Sequence, residues 1–326
     1  MSTELSDYDY DLPRELIAQR PPERREDSRM MVLRRDEQAI EHRQFAELKS
    51  LLSLGDLLVL NDTRVLPARG FSNDGRTEFL FTQRLGSKRW KSLVRPGRKM
   101  RVGATAEIGK AILRVEEILP DGERVVELNN DVDLYADGLI PLPPYIGRES
   151  DEEDKARYQT VFAQSPGALA APTAGLHFTQ QILSEIPHTF VTLDVGIGTF
   201  LPVRSENLAE HRMHAERFSI SAEAANKINN ARRIAAVGTT TVRTLEAAKN
   251  VSGKILPQEA LTNIFIYPPY QFRAVDLLLT NFHLPRSTLL ILVSALAGRE
   301  FLLRAYQEAI RERYRFYSYG DCMLIL

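Results

Sequence analysis

Four of the six histidines, His177, His211, His214 and His283, stand among glycine, serine and threonine. Imidazole is the side chain best suited to move a proton near neutral pH. His283 lies in Thr280-Asn281-Phe282-His283-Leu284-Pro285-Arg286-Ser287-Thr288, between the apolar runs Leu277–Leu279 and Leu289–Val293. Buried Asn, His, Ser and Thr cost about 1–3 kcal/mol each unless hydrogen-bonded. Clustered between two core elements, with Tyr314–Asp321 nearby in sequence, they read as one wall of a pocket. His211-Arg212-Met213-His214-Ala215-Glu216 invites a metal reading. Zinc motifs on helices, however, space their histidines four apart, and here the spacing is three. An acid–base or supporting role fits better, and no metal is expected. His177, in the small-residue loop Ala170–Thr179, stays open between a ligand contact and a satisfied loop histidine.

Three glycine segments accompany these histidines. Val237-Gly238-Thr239-Thr240-Thr241-Val242-Arg243 reads as a strand entering a helix, whose free N–H groups suit a carboxylate or phosphate; an ordinary capped turn is the alternative. Asp194-Val195-Gly196-Ile197-Gly198-Thr199-Phe200 places two glycines at a strand end without the third glycine of a dinucleotide fingerprint. Gly103–Ala111 approaches a nucleotide-phosphate loop, but its spacing is one residue too long and Ala111 replaces the magnesium-binding hydroxyl.

The elements that must carry these groups fall into two textures. From Pro67 to Pro141, short alternating runs such as Thr77–Phe81, Trp90–Val94 and Arg124–Leu128 are separated by Asp-Gly and Pro-Gly turns, the pattern of a small β-barrel. On either side, strand and helix signals alternate. The expected helices are Pro13–Arg20, Phe45–Leu52, Gln180–Ile186, Ser221–Arg233, Thr240–Ala248 and Glu300–Glu312, with one capped by Ser287 or Thr288. Expected strands include Met30–Leu33, Leu57–Leu60, Phe190–Val195, Ile234–Val237, Ile264–Ile266 and Leu277–Thr280. The expectation is therefore an α/β fold: a discontinuous layered domain, 1–64 and 150–326, with an all-β, barrel-like domain inserted at 65–149.

Composition excludes several classes. A chain of 326 residues with 44% hydrophobic and 26% charged residues is globular, and its longest apolar run is too short to span a bilayer. One cysteine, Cys322, rules out an internal disulfide and a cysteine metal cluster. The N-terminus lacks a signal-peptide pattern, so a cytoplasmic location is expected. The net charge of −1 hides eight basic and no acidic residues between Arg84 and Arg101. That cluster suits a polyanion, or else a solvated face paired with the acidic segment Glu116–Asp137.

Taken in order, these segments resemble the S-adenosylmethionine:tRNA ribosyltransferase-isomerase family of queuosine biosynthesis. The resemblance runs from Asp7–Pro13 and Leu60–Val65 through Tyr158–Phe162, Pro172–Phe178, Val195–Phe200 and Met213–Glu216. It continues through Gly238–Thr240, Arg243–Glu246 and Thr280–Leu290 to Ser318–Asp321. Three positions depart from the family pattern: Asp194 where His is usual, Pro269 where Gly follows Tyr-Pro, and Cys322 where Ala is usual.

The resemblance implies an active site in the cleft between an α/β domain and its β-barrel insert. It also implies transfer of the ribosyl part of S-adenosylmethionine to preQ1 at the tRNA wobble position, giving epoxyqueuosine-tRNA, adenine and methionine. S-adenosylmethionine is then a consumed substrate, no true cofactor is needed, and the partners are the donor and preQ1-bearing tRNA, with no membrane and a monomeric state. The sulfonium already activates the donor, so the chemistry needs only a base beside sulfur and an acid for adenine.

Expected catalytic residues are His214, Glu216, His283 and Asp321, arranged around the ribose and sulfonium. Expected substrate contacts are Thr173, Gly175, His177, Gly196, Gly198, Thr199, His211, Gly238, Thr239, Thr240, Arg243, Asn281, Ser287, Thr288, Tyr319 and Gly320. The start of the helix at Gly238 suits the methionine carboxylate, and Tyr317 and Tyr319 with Asp321 suit the sulfonium. Arg64, Lys88, Arg89, Arg95, Arg98 and Lys99, with Trp90 among them, are the expected tRNA contacts.

Overall fold

The computed structural model describes residues 3–196, 198, 205–250 and 252–326. The chain opens with β1 (Arg29–Arg34), β2 (Ala39–Gln44), the short helix α1 (Leu48–Leu51), β3 (Asp56–Asn61) and β4 (Thr63–Val65). Six strands follow: β5 (Arg69–Phe71), β6 (Glu78–Arg84), β7 (Arg89–Arg95), β8 (Thr105–Ile108), β9 (Ala111–Ile118) and β10 (Arg124–Leu128). Next come α2 (Glu152–Arg157), β11 (Ser165–Ala168), α3 (Gln180–Ser184), β12 (His188–Leu193), β13 (Glu216–Ile220), α4 (Ala222–Asn230) and β14 (Arg233–Val237). The chain ends with α5 (Thr239–Ala248), β15 (Gln258–Thr262), β16 (Leu277–Asn281), α6 (Thr288–Ala297), α7 (Arg299–Arg311) and β17 (Cys322–Ile325).

These elements form two compact units. The larger holds the chain up to Arg64, Pro144–Arg148 and Gln159–Leu326; the smaller holds Val65–Pro143 and Glu149–Tyr158. The larger unit is built on a nine-stranded mixed sheet in the order β15-β13-β12-β3-β14-β16-β17-β1-β2. Its centre is parallel: β12 with β3, β3 with β14, and β14 with β16. Strand β3 is buried along its whole length, as a strand covered on both faces must be. One face packs under Val59, Ala236, Leu278, α5 and the α6–α7 pair, and the other under Leu58, Leu60, Phe162, Phe178 and Ala235. Ser287, rather than Thr288, caps α6 by accepting from Leu290 N–H at 3.2 Å, a contact worth about 1 kcal/mol.

The smaller unit is a six-stranded antiparallel sheet, β5-β6-β7-β10-β9-β8. Asn73 N–H donates to Glu107 O at 2.8 Å, which draws the two ends of the sheet together into a near-barrel. Phe79, Phe81, Trp90, Leu113, Val115 and Val126 fill it. The α/β class with a barrel-like all-β part is as the sequence implies.

Two local expectations are corrected. Pro13–Arg20 is not a helix: only Arg14–Leu16 forms a 3-10 turn. The chain then runs extended beside Phe316, with Ala18 N–H donating to Phe316 O at 3.2 Å and Phe316 N–H to Leu16 O at 2.8 Å. Ile264–Ile266 is not a strand either. The edge strand is Gln258–Thr262, and the Thr262 hydroxyl then accepts from Ile264 N–H at 3.2 Å, turning the chain off the sheet.

Candidate active site

Strand direction brings most of the singled-out segments to one edge. The parallel strands β3, β12, β14 and β16 all end there, at Asn61, Leu193, Val237 and Asn281. The antiparallel β13 and β17 begin there, with Glu216 at the start of one and Cys322 facing Asn281 at the start of the other. Open α/β sheets bind ligands outside this carboxyl edge. Asn61 ties the edge together: its amide donates to Leu193 O at 3.0 Å and to the Thr240 hydroxyl at 3.3 Å, and its oxygen accepts from Leu193 N–H at 3.0 Å.

At the β12–β13 end, Glu216 and Arg243 form a buried ion pair. Glu216 also accepts from Gly196 N–H at 3.0 Å, and Arg243 Nε donates to Ile264 O at 3.4 Å. Arg243 Nη2 is buried and has no acceptor among the described residues. His214, two residues before Glu216, is exposed, and a side chain at Gly198 would meet its ring at 3.4 Å. His211 is half-buried against Phe265, ring centroids 4.9 Å apart. Burial, then the nearby His214, lowers the His211 pKa. Asp194 pairs with Arg217 at 3.1 Å across β12 and β13.

The β16–β17 end is organised differently. His177 is fully enclosed, with Nδ1 2.8 Å from the Ser28 hydroxyl and Nε2 3.2 Å from the Asn281 amide nitrogen. That amide nitrogen also faces Tyr317 O at 3.2 Å and Asp321 O at 3.3 Å, which orients it as the donor. His177 Nε2 therefore accepts and Nδ1–H donates to Ser28. Burial, with Arg25 and Arg315 nearby, pushes this ring down to about 3, so it stays neutral. Asp321 accepts backbone N–H groups from Arg29 at 2.9 Å and Arg315 at 2.8 Å, while burial raises its pKa.

His283 is also pushed down to about 3 by burial. Its Nε2 lies 2.7 Å from the Thr280 hydroxyl, its N–H donates to Tyr306 at 2.9 Å, and its carbonyl accepts from Tyr10. Tyr317 takes the left-handed φ of +70°, a conformation costing a tyrosine about 1–3 kcal/mol. The Tyr145 ring packs on it at 4.6 Å, and the Tyr145 hydroxyl bonds Ser318 at 2.6 Å.

Residues 5–325 match the family model described as "Queuosine biosynthesis protein". The chain belongs to that family. Similar curated proteins carry the name S-adenosylmethionine:tRNA ribosyltransferase-isomerase. The one from Symbiobacterium thermophilum is 49% identical over 99% of both chains. The one from Desulforamulus reducens is 45% identical over 99% of this chain and all of its own. The crystal structure of S-adenosylmethionine tRNA ribosyltransferase from Thermotoga maritima superposes with a TM-score of 0.56. It is 38% identical and covers 98% of this chain and all of the other.

Within this member of the queuosine biosynthesis family, the four expected catalytic residues do not gather at one point. Glu216 and Asp321 are separated by five strand spacings, on the order of 24 Å at about 4.8 Å each. His214 goes with Glu216, and His283 with Asp321. Of the expected substrate contacts, Gly196, Gly198, His211 and Arg243 lie at the first end, and His177, Asn281, Tyr319 and Gly320 at the second. Gly238, with φ +86°, lies between them, joining the end of β14 to α5, and a side chain there would meet Ala174 at 3.6 Å. The loop holding Thr173 and Gly175 thus lies against the start of α5, where Thr239 and Thr240 form the first turn. Ser287 is occupied as the α6 cap, with Thr288 following it. Thr199 lies outside the described residues. The Tyr317 and Tyr319 rings are enclosed by protein.

Among the described residues, no group of three or more His, Cys, Asp and Glu is arranged to hold a metal, and no helix is long and apolar enough to cross a membrane. Sequence reasoning passed over Ser28, Tyr10 and Tyr145, which act through contacts 149, 273 and 173 residues away. It also passed over Asp62, whose carboxylate accepts from Thr192 at 2.6 Å beside a groove of about 270 Å³.

The basic cluster divides in the same way. Arg84 pairs with Asp131 and Arg89 with Glu116, both at 2.9 Å, and Lys88 donates to Asn129 O at 3.1 Å. Arg64, Arg95, Arg98 and Lys99 are exposed and take part in no ion pair among the described residues. Trp90 is fully buried inside the near-barrel, so it cannot stack on a base, contrary to the sequence expectation.

Proposed function

We infer that this chain transfers and isomerises the ribosyl moiety of S-adenosylmethionine onto preQ1 at the tRNA wobble position, giving epoxyqueuosine-tRNA with adenine and methionine released. The observation that carries this is the 45–49% identity to curated ribosyltransferase-isomerases over essentially the whole length of both chains. In this reading S-adenosylmethionine is the donor and is consumed as a substrate rather than retained as a cofactor. The chain acts as a monomer in the cytoplasm, with residues 65–149 as the insert in the α/β domain.

The β12–β13 end suits the proton transfers. His214 is exposed, and an imidazole there can take the proton beside the sulfonium or protonate departing adenine. His283, held neutral down to about pH 3, is a weak base at neutral pH. Asp321 spends both carboxylate oxygens on backbone N–H groups. Both hold the far end of the edge in place. Backbone N–H groups in the first turn of α5, over Thr239 and Thr240, offer a polar rest for the donor's ribose.

Purified protein mixed with S-adenosylmethionine and preQ1-bearing tRNA should release adenine in step with the gain of one modified nucleoside. Absence of adenine release, with the tRNA bound, would overturn the reading. The unpaired cations carry the tRNA contact. Reversing charge at Arg95, Arg98 and Lys99 should lower the salt slope of tRNA binding by roughly three counterions. Reversing Arg84 and Arg89, already paired, should lower it less. An unchanged slope in the first variant would mark the cluster as a solvated face.

A further inference from the structure

The Glu216–Arg243 pair has more hydrogen-bonding capacity than the protein uses. Both side chains are nearly sealed, with 4% and 6% of their surface exposed. A guanidinium presents five donors in a planar fork. Here Nη1 goes to Glu216 and Nε to Ile264 O, leaving Nη2 buried with no acceptor among the described residues. Buried donors are rarely left unmatched, and each unmatched one calls for a missing partner. Glu216 accepts one N–H from Gly196 and one from Arg243, and a carboxylate has about four acceptor sites. Among the described residues, one side of the pair lacks an acceptor and the other can take a further donor.

Resting on the donor reading above, we propose that Glu216 and Arg243 form the clamp for the amino-acid end of S-adenosylmethionine. Arg243 Nη2 donates to the α-carboxylate and Glu216 accepts from the α-ammonium. A zwitterion matches a pair of opposite charges without changing the net charge of the buried site, which a lone carboxylate or lone amine would do. The placement fits the chemistry. His214 lies two residues before Glu216, about 7 Å along an extended chain. Holding the amino-acid end at Glu216 puts the sulfonium, a few bonds away, within reach of His214. It also moves the carboxylate anchor away from the start of α5, where the Gly238 N–H is already donated to Leu279 O at 2.8 Å.

The test compares binding of three ligands by calorimetry: S-adenosylmethionine, its decarboxylated analogue and its deaminated analogue. Wild-type protein should favour the parent over each analogue by about 10–10²-fold, the range for a hydrogen bond between charged groups. Arg243→Lys, which keeps the charge opposite Glu216 but not the fork, should lose most of the preference against the decarboxylated analogue and keep that against the deaminated one. Glu216→Gln should do the reverse. Because single changes in a buried pair can unfold a protein, Arg243→Met with Glu216→Gln removes both charges together. That double variant should fold and show neither preference. If wild-type protein shows no preference between parent and analogues, or if the variants weaken all three ligands equally, the pair is a structural tie and the proposal fails. Failure of wild-type protein to bind S-adenosylmethionine at all would instead remove the donor reading on which it rests.

Discussion

At the β16–β17 end of the sheet's carboxyl edge, the histidines and Asp321 are sealed in and their main polar atoms have partners within the protein. At the β12–β13 end, a histidine stands exposed beside a buried ion pair that leaves one donor unmatched among the described residues. Both ends carry His, a carboxylate and glycine, so residue type alone does not separate them. The partners of the charged and imidazole groups do, although Asn281 at the sealed end also keeps a buried amide oxygen without a donor among the described residues. Where the protein answers its own hydrogen bonds, as at His177 with Ser28 and Asn281, the group rigidifies the fold. Where it leaves a buried donor without an acceptor among the described residues, as at Arg243, a ligand can complete the set.

The largest test of this contrast is His214→Ala. Turnover should fall about 10²–10⁴-fold if the ring transfers a proton, while the exposed position predicts a melting temperature close to wild type. Measuring single-turnover rate and melting on the same sample decides it. Should His283→Ala show that rate loss with an unchanged melting temperature, the roles of the two ends are exchanged.

The converse substitution is His177→Ala. It removes an enclosed ring, leaves Ser28 and Asn281 without their shared partner, and opens a cavity against Phe45, whose ring centroid lies 5.4 Å away. The cost should be roughly 2–5 kcal/mol of stability, read by denaturant unfolding. Turnover of the protein that remains folded should stay near wild type. A large rate loss with little stability loss would make His177 a ligand contact.

Much of this edge is legible in the amino-acid sequence. Apolar runs such as Leu57–Leu60 and Leu277–Leu279 announce buried strands, and the polar residues at their ends follow directly. The family motifs then name the segments. What the sequence conceals is lateral order. Glu216 begins a strand that pairs with β15 and β12, while Asp321 precedes one inserted between β16 and β1, so two carboxylates expected together end up far apart. Burial is equally hidden. The alternation of β7 puts Trp90 inside the near-barrel and Arg89 and Lys91 on its outer side, and a count of charges cannot distinguish a paired Arg89 from an unpaired Arg95. Long-range partners such as Tyr10 for His283 leave no local signature.

A smaller effect follows from the two depressed histidines. Both rings have pKa values of about 3 in the fold against 6.5 for a free ring. Below pH 6.5 the unfolded chain takes up protons that the folded protein refuses, so stability is full above that point and falls as pH drops from 6.5 toward 3. Each ring should contribute about 1.4 kcal/mol per pH unit within the window. His283→Gln should shed one such contribution, leaving a shallower stability–pH slope than wild type. Equal slopes would mean that His283 binds its proton as readily in the folded as in the unfolded chain, so that burial does not hold it neutral.

The finest test is Ser28→Ala. Two carbonyls beside the Asn281 amide fix its nitrogen as the end facing His177 Nε2, which leaves Nδ1–H with Ser28 as its acceptor at 2.8 Å. Removing the hydroxyl strands one buried donor and should cost about 1–3 kcal/mol, at the lower end if the ring shifts toward another acceptor. The ring should keep its proton on Nδ1, since Asn281 still donates to Nε2, and nitrogen NMR of the histidine reads that directly. Turnover should be unchanged, because the loss falls on a bond that holds β16 to the strand entering at Arg29 and touches no ligand. A variant with intact stability but reduced affinity for S-adenosylmethionine would show the opposite: that the donor reaches the sealed end, and that the division of labour along this edge is not the one its hydrogen bonds describe.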